Sequence, residues 1–319
     1  MTDLPLAIDA AARRIRPYVR ETPIEYSLPL SQQLGCDVAL KCEHLQHTGS
    51  FKLRGAMAKI SRLSSAQASA GIVAASSGNH GAAVAYGLRA LKLHGVVFVP
   101  NQASATKVDA MRRYGVEVRH VGDDGLDTEL AARAYADEHG MTYISPYNDL
   151  DVIAGQGTLA IELLRQTPAV DVVYIAVGGG GLISGVASYL KARAPRPIQI
   201  VGCLPERSPA MAAAVQAGQI IEVPTRATLS DGTAGGIEAG SVTFPLCQQL
   251  VDRWVLVPEP QIAAAVRLMV DAHHQIVEGA AGVALAALIA DAPVDRGAHP
   301  AVVLCGANIS TDTLRAILA

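Results

Sequence analysis

Short apolar runs alternate with stretches whose apolar residues recur about every 3.6 positions, and the alternation continues along almost the whole chain. The runs predict strands at 72–76 (IVAAS), 96–100 (VVFVP), 117–121 (EVRHV), 142–146 (TYISP), 172–177 (VVYIAV), 199–204 (QIVGCL), 254–258 (WVLVP) and 301–305 (AVVLC). Segments between them, such as HGAAVAYGLRALKL and AAAVRLMVDAHHQIV, predict helices. Strands that are apolar at nearly every position imply a parallel sheet covered on both faces, hence an α/β fold. The strands from 72 to 146 suffice for a small open sheet. The Pro- and Gly-punctuated segment SPYNDLDVIAGQGTLAIELL then predicts a crossing back. The expected organisation is a small domain, 55–147, inserted into a larger one made of 1–54 and 148–319.

Composition narrows the classes. The 319 residues are long enough for two packed lobes, half are hydrophobic and only 4% are aromatic, which suits helices packed through small side chains. The net charge of −3 is spread along the chain without a basic tract, so no nucleic-acid partner is expected. The five cysteines, at 36, 42, 203, 247 and 305, show neither CxxC nor metal-type Cys/His spacing, which reads as reduced thiols of a cytoplasmic protein. The N-terminus lacks the pattern of a secretion signal. The most apolar helical stretch, 280–290, is too short to span a bilayer, so no membrane association is expected.

Three segments carry candidate chemistry. In HTGSFKLRGA, Lys52 follows Phe51 just after a small-residue turn. An imine-forming lysine has to be desolvated, because at its ordinary pKa of about 10.4 it is protonated and inert; an unremarkable lysine at a helix start has the same local look. In AASSGNHGAAVAYG a strand runs through Ser76, Ser77, Gly78, Asn79 and His80 into a helix. Such a junction either binds a carboxylate through helix-start amides or is an ordinary N-cap. In VVYIAVGGGGLISGVASYLKARAP a strand enters Gly178, Gly179, Gly180 and Gly181 before a helix. There is no GK[ST], and no acidic residue stands where a ribose would need one, so the glycines suggest a lone phosphate more than a nucleotide; a structural turn is the alternative.

Together these segments resemble the fold-type II pyridoxal-phosphate family of threonine dehydratases, serine dehydratases and serine racemases. The likeness runs collinearly from ARRIRPYVRETPIEYS through KCEHLQHTGSFKLRGA, SSGNHG, NDLDVIAGQGT and VGGGGLISG to LCGAN. It implies a tryptophan synthase β-like fold, two open parallel-sheet lobes with pyridoxal 5'-phosphate between them, and the domain insertion given above. Lys52 would hold the cofactor through an imine and move the proton, with Phe51 near the ring and Asn79 on the ring hydroxyl. Gly178, Gly179, Gly180, Gly181 and the amide of Leu182 would cradle the phosphate. Cys305 would face the pyridine nitrogen, favouring elimination over transamination. Ser76, Ser77, Asn79 and His80 would line the substrate carboxylate site.

The implied reaction is loss of the β-hydroxyl from a small amino acid, giving a 2-oxo acid and ammonia, by a homo-oligomer (dimer or tetramer). Three departures bear on detail. Glu206 is the only carboxylate in CLPERSPAMAA and looks shifted, so no metal site is expected. EGAAG keeps Glu278 but loses a proline common in relatives. The segment LSDGTAGGIEAGSVTF, expected to face the substrate, carries Glu238 where threonine enzymes often have basic or apolar residues, and so resembles the dehydratases of hydroxyectoine utilisation. The chain ends about one helix after Cys305, leaving no room for the regulatory domain of biosynthetic enzymes. Alternatives are a racemase, with Ser77 as the acid opposite Lys52, and a non-catalytic metabolite-binding relative.

Overall fold

The structure, a computed structural model, describes residues 3–291 and 298–319. Its strands are Ile24–Tyr26 (β1), Ala39–Lys41 (β2), Ile72–Ala75 (β3), Gly95–Val99 (β4), Glu117–His120 (β5), Thr142–Tyr143 (β6), Val172–Ala176 (β7), Gln199–Pro205 (β8), Arg253–Val257 (β9) and Pro300–Val303 (β10). Its α-helices are Leu4–Ile15 (α1), Leu28–Leu34 (α2), Lys52–Ile60 (α3), Ser65–Ala70 (α4), Asn79–Leu91 (α5), Ala105–Arg112 (α6) and Gly125–Glu138 (α7). Leu150–Gln166 (α8), Gly181–Arg193 (α9), Ala210–Ala217 (α10), Thr243–Leu250 (α11), Glu259–His273 (α12), Gly279–Ala290 (α13) and Thr311–Leu318 (α14) complete them.

The strands form two open sheets. Six are ordered β1-β2-β10-β7-β8-β9, parallel except for β1, and four are ordered β5-β4-β3-β6, all parallel. Strand β7 is buried at all five positions, as a parallel strand with helices on both faces must be. Helix α13 is buried from Gly279 through Leu288, which its all-round apolar sequence, GAAGVALAALIA, allows. Helix α1 instead carries a single buried stripe, Leu4, Ile8, Ala11 and Ile15. That stripe joins Leu53, Met57, Val84 and Val152 in the apolar cluster that packs α3, α5 and α8 together.

Both sheets switch strand order beside their central strands. Following β3, β4 lies on one side and β6 on the other, while β7 lies between β10 and β8. Crevices at the carboxyl ends of strands open at such points and are where α/β proteins bind ligands. The segments leaving β3, β6, β7 and β10 here all reach one cavity.

Candidate active site

Lys52 is the first residue of α3, delivered by a loop stitched to the end of β10. Phe51 N donates to the Cys305 carbonyl at 3.0 Å, Ala307 N donates to the Gly49 carbonyl at 2.8 Å, and Ser50 forms an isolated bridge with Gly306. Its Nζ donates to the Pro146 carbonyl at 2.9 Å, its single hydrogen-bond partner among the described residues. Desolvation lowers its pKa to about 8, opposed by Cys305 and Glu278. The amine is thus much closer to its neutral, nucleophilic form than a solvated lysine.

Across the cavity, β3 ends and Ser76, Ser77 and Gly78 lead into α5 at Asn79, with Gly78 N donating to Ser76 Oγ at 3.1 Å. The Asn79 side chain is held at both ends. Its Nδ2 donates to the two oxygens of Glu278 at 2.9 and 3.0 Å, and its Oδ1 accepts from Asn308 Nδ2 at 2.5 Å. Asn308 N also donates to Glu278, at 3.0 Å. Burial raises the Glu278 pKa, with the Asn79 and Asn308 hydrogen bonds opposing it. His80 lines the cavity, but its ring is committed elsewhere. Its Nε2 lies 2.8 Å from the Ile144 carbonyl, which can only accept, and desolvation, then Lys52, push its pKa down to about 3. A neutral, engaged imidazole leaves the backbone amide as what His80 offers an anion.

The glycine loop leaves β7 and becomes α9 at Gly181, so the amides of residues 180–182 sit at the positive end of a 13-residue helix. Gly180 has φ +85°, a left-handed conformation that disfavours any side chain. A Cβ on Gly179 would lie 2.4 Å from the Tyr147 ring, so this turn exists only for a residue without one. Thr243 Oγ1 donates to the Gly179 carbonyl at 2.6 Å and fixes the loop from behind.

The cavity that these pieces enclose measures about 420 Å³ and is lined by Phe51, Lys52, Ser76, Ser77, Asn79, His80, Gly178, Gly179, Gly180, Gly181, Leu182 and Cys305, among others. It therefore brings together every residue that the sequence nominated. Cys305 is buried, and desolvation followed by Glu278 raises its pKa well above the usual thiol value, so it presents a neutral SH. Pyridoxal phosphate fits this set. A cradle with room only for backbone meets the phosphate, a desolvated amine meets the aldehyde, and a neutral donor stands on the same wall. Glu278, Asn308, Tyr147, Lys107 and the wall formed by residues 231–236 were not nominated as site residues. The segment LSDGTAGGIEAGSVTF reaches the cavity through residues 231–236, while the Glu238 carboxylate is turned to Arg133 and Asn148, outside the cavity lining. Among the described residues, no group of three or more His, Cys, Asp or Glu is gathered as metal ligands, and no helix is long and apolar enough to cross a membrane.

Two open parallel-sheet lobes with an unpaired lysine facing a glycine cradle define a pyridoxal-phosphate enzyme, and the chain belongs to that family: residues 15–306 match the family described as pyridoxal-phosphate dependent enzyme. The chain is 37% identical to a putative threonine dehydratase of Sinorhizobium fredii, covering 98% of this chain and 94% of that one. It is 36% identical to the L-threo-3-hydroxyaspartate ammonia-lyase of a Pseudomonas species, over 97% of this chain and 96% of that one. The structure of maize serine racemase superposes with a TM-score of 0.92 at 32% identity, covering 98% of this chain and 95% of that one.

Proposed function

We propose that the chain is a dehydratase that eliminates the β-hydroxyl of a small amino acid of the L-threonine or L-serine type, yielding a 2-oxo acid and ammonia. The observation that carries this reading is the Lys52 amine, desolvated to a pKa of about 8 and unpaired with any carboxylate, in one cavity with the glycine cradle and the Cys305 thiol. Pyridoxal phosphate, when bound, supplies an electron-withdrawing ring that acidifies the proton on the substrate's Cα. Lys52 would hold the cofactor through its aldehyde, and its freed amine would serve as the general base for the proton on the substrate's Cα. The amides of residues 180–182 hold the phosphate at the start of α9. Asn79, oriented by Glu278, serves the ring hydroxyl, and Ser76, Ser77 and the first amides of α5 receive the substrate carboxylate. A neutral thiol at Cys305 does not stabilise a protonated ring nitrogen as a carboxylate would, which favours hydroxyl loss over long-lived charge on Cα.

The small domain is read as 55–147, set into 1–54 plus 148–319, which the two sheets support; the cytoplasmic reading draws on the five unpaired buried cysteines, and the homo-oligomer on the family resemblance alone. A second reading, racemisation, is favoured by Ser77 in the same cavity as Lys52 and by the similarity to maize serine racemase. The test is a screen of L-threonine, L-serine, L-threo-3-hydroxyaspartate and hydroxyectoine for release of ammonia and 2-oxo acid. Chiral chromatography of the serine reaction runs beside it. Dehydration predicts 2-oxo acid from at least one substrate; D-serine without 2-oxo acid would replace it with the racemase reading, and no product from any would sink both.

A further inference from the structure

Glu238 stands in the irregular stretch between α10 and α11, residues 218–242, which has one short turn, Asp231–Thr233. Residues 231–236 of this stretch form one wall of the cavity. Behind the wall the stretch is fixed to the six-stranded lobe: Gly235 N donates to Ser208 Oγ at 3.1 Å and Val242 N donates to Asn148 Oδ1 at 2.9 Å. Two further ties reach helices of the four-stranded lobe. Lys107 on α6 pairs with Asp231 at 3.2 Å, but Asp231 is largely exposed, and such pairs contribute little. Arg133 on α7 pairs with Glu238, where both side chains are partly buried.

The second tie is built with care. Arg133 is held in its pose by Glu129, one turn earlier on α7, through Nε at 2.9 Å and Nη2 at 2.7 Å, and its guanidinium lies 4.4 Å over the Tyr143 ring. The Glu238 carboxylate accepts from Arg133 with one oxygen and from Asn148 Nδ2 with the other. Its backbone N–H donates to Tyr147 Oη at 3.0 Å. Gly179 packs against the Tyr147 ring, and Gly181 against the backbone and Cβ of the same residue. One residue thus links a helix of the small lobe, the wall of the cavity and the ring that backs the glycine loop.

We propose that Glu238 and Arg133 are positioning residues, an interlobe clasp that holds residues 231–236 over the bound amino acid and seats Tyr147 behind the glycine loop. The proposal rests on the reading of this cavity as the cofactor and amino-acid site. A clasp of this kind contributes equally to bound substrate and to its transition state, so its loss appears in KM more than in kcat. An arginine and a glutamate merely decorating a surface would leave both KM and kcat unchanged.

The experiment compares the holoenzyme with Glu238→Gln, Arg133→Leu and the exchanged pair Arg133→Glu with Glu238→Arg. Pyridoxal-phosphate dissociation and hydrogen exchange across 218–242 are read alongside KM and kcat. Each single variant is expected to raise KM about tenfold while kcat falls less than about threefold. Each also weakens cofactor binding and speeds exchange in 218–242, and the exchanged pair recovers most of both. The idea is overturned if the single variants leave KM, cofactor dissociation and exchange at wild-type values. It is equally overturned if the exchanged pair is no better than the singles, or if kcat and melting temperature fall together with KM unmoved. Cofactor dissociation and exchange do not need turnover, so a failed substrate screen leaves the clasp testable.

Discussion

Two cations stand two residues apart at the start of α3, and their surroundings are opposite. Arg54 is fully buried and matched. Glu43 accepts from Nε and Nη2 at 2.8 Å each, Glu162 accepts from Nη1 at 2.7 Å and Nη2 at 2.8 Å, and Thr158 and the Arg20 carbonyl take the rest. Lys41 completes the cluster, donating to Glu162 at 2.6 Å, so two positive and two negative charges balance. Lys52 has one carbonyl. The Arg54 pKa is raised, the pull of Glu43 and Glu162 outweighing desolvation, while that of Lys52 falls because nothing adequate opposes desolvation. The matched cation holds α3 to β2 and α8; the unmatched one is left with reactivity. The difference lies chiefly in partners: Arg54 is sealed among carboxylates, while Lys52, partly buried, lines the cavity with none in hydrogen-bonding reach among the described residues.

The sharpest way to break this contrast is Lys52→Ala. Turnover is expected to fall by at least about 10⁴-fold, since one amine serves as both anchor and base. The apoprotein should gain stability. Lys52 has a folded pKa below its unfolded one, so between about 8 and about 10.4 the unfolded chain binds more protons and stability rises with pH. Below pH 8 the burial penalty is fully present, about 3 kcal/mol, since each tenfold change in proton affinity is worth about 1.36 kcal/mol. Denaturant melts of apoprotein at pH 7 and pH 10.5 measure it: the variant's advantage should be present at the first and gone at the second. An activity above a tenth of wild type, or a variant less stable at pH 7, would erase the distinction.

Arg54→Met tests the other side. It leaves Glu43 buried without its ion-pair partner and Glu162 with Lys41 alone, and breaking such a cluster costs about 3–5 kcal/mol. Urea denaturation reads it directly, and a loss under 1 kcal/mol would mean that the cluster is ornamental to the fold. Gly180→Val sharpens the contrast further out, at donors left open for an anion. Its φ of +85° and the Met211 and Cys247 side chains within 3 Å of an added Cβ predict roughly 10–100-fold weaker cofactor binding. Fluorescence titration with pyridoxal phosphate measures it. Smallest is Cys305→Ser, which keeps a neutral donor and should change kcat/KM less than about threefold. Cys305→Asp should instead slow 2-oxo acid release relative to exchange of the Cα proton with solvent. If both variants behave alike, the neutrality of that wall is irrelevant to the reaction.

The same contrast explains what the sequence disclosed. All eight expected strands exist, because continuous apolar runs have no other economical burial in an α/β protein. Strands β1 and β2 went unseen: three residues are too few for a period, and β2 ends on Lys41, a charge that only Glu162, Gln166 and the Thr22 carbonyl make tolerable. The run at 142–146 is trimmed to Thr142–Tyr143, since the chain then turns to bring the Pro146 carbonyl to Lys52. Motif residues were legible because their chemistry is local: a lysine after a turn, glycines before a helix. Their supports were not, because Asn79 and Glu278 are 199 residues apart and Arg133 and Glu238 are 105 apart. The stretch around Glu238 was legible as facing the pocket, but not that this side chain turns away to Arg133 and Asn148.

The loop carrying Lys52 is hydrogen-bonded to the strand end that carries Cys305, and that tie has a meaning in time. A chain made from its N-terminus at about 5–20 residues per second exposes Lys52 tens of seconds before Cys305 emerges. Through that interval the lysine is an ordinary solvated amine, mostly protonated and so a weak nucleophile. Its pKa falls only when β10 inserts between β2 and β7 and Phe51 N–H finds the Cys305 carbonyl. The surroundings that lower the pKa of Lys52 are thus completed by a strand made about 250 residues after it, so the lysine and its setting are separated in synthesis though adjacent in the fold.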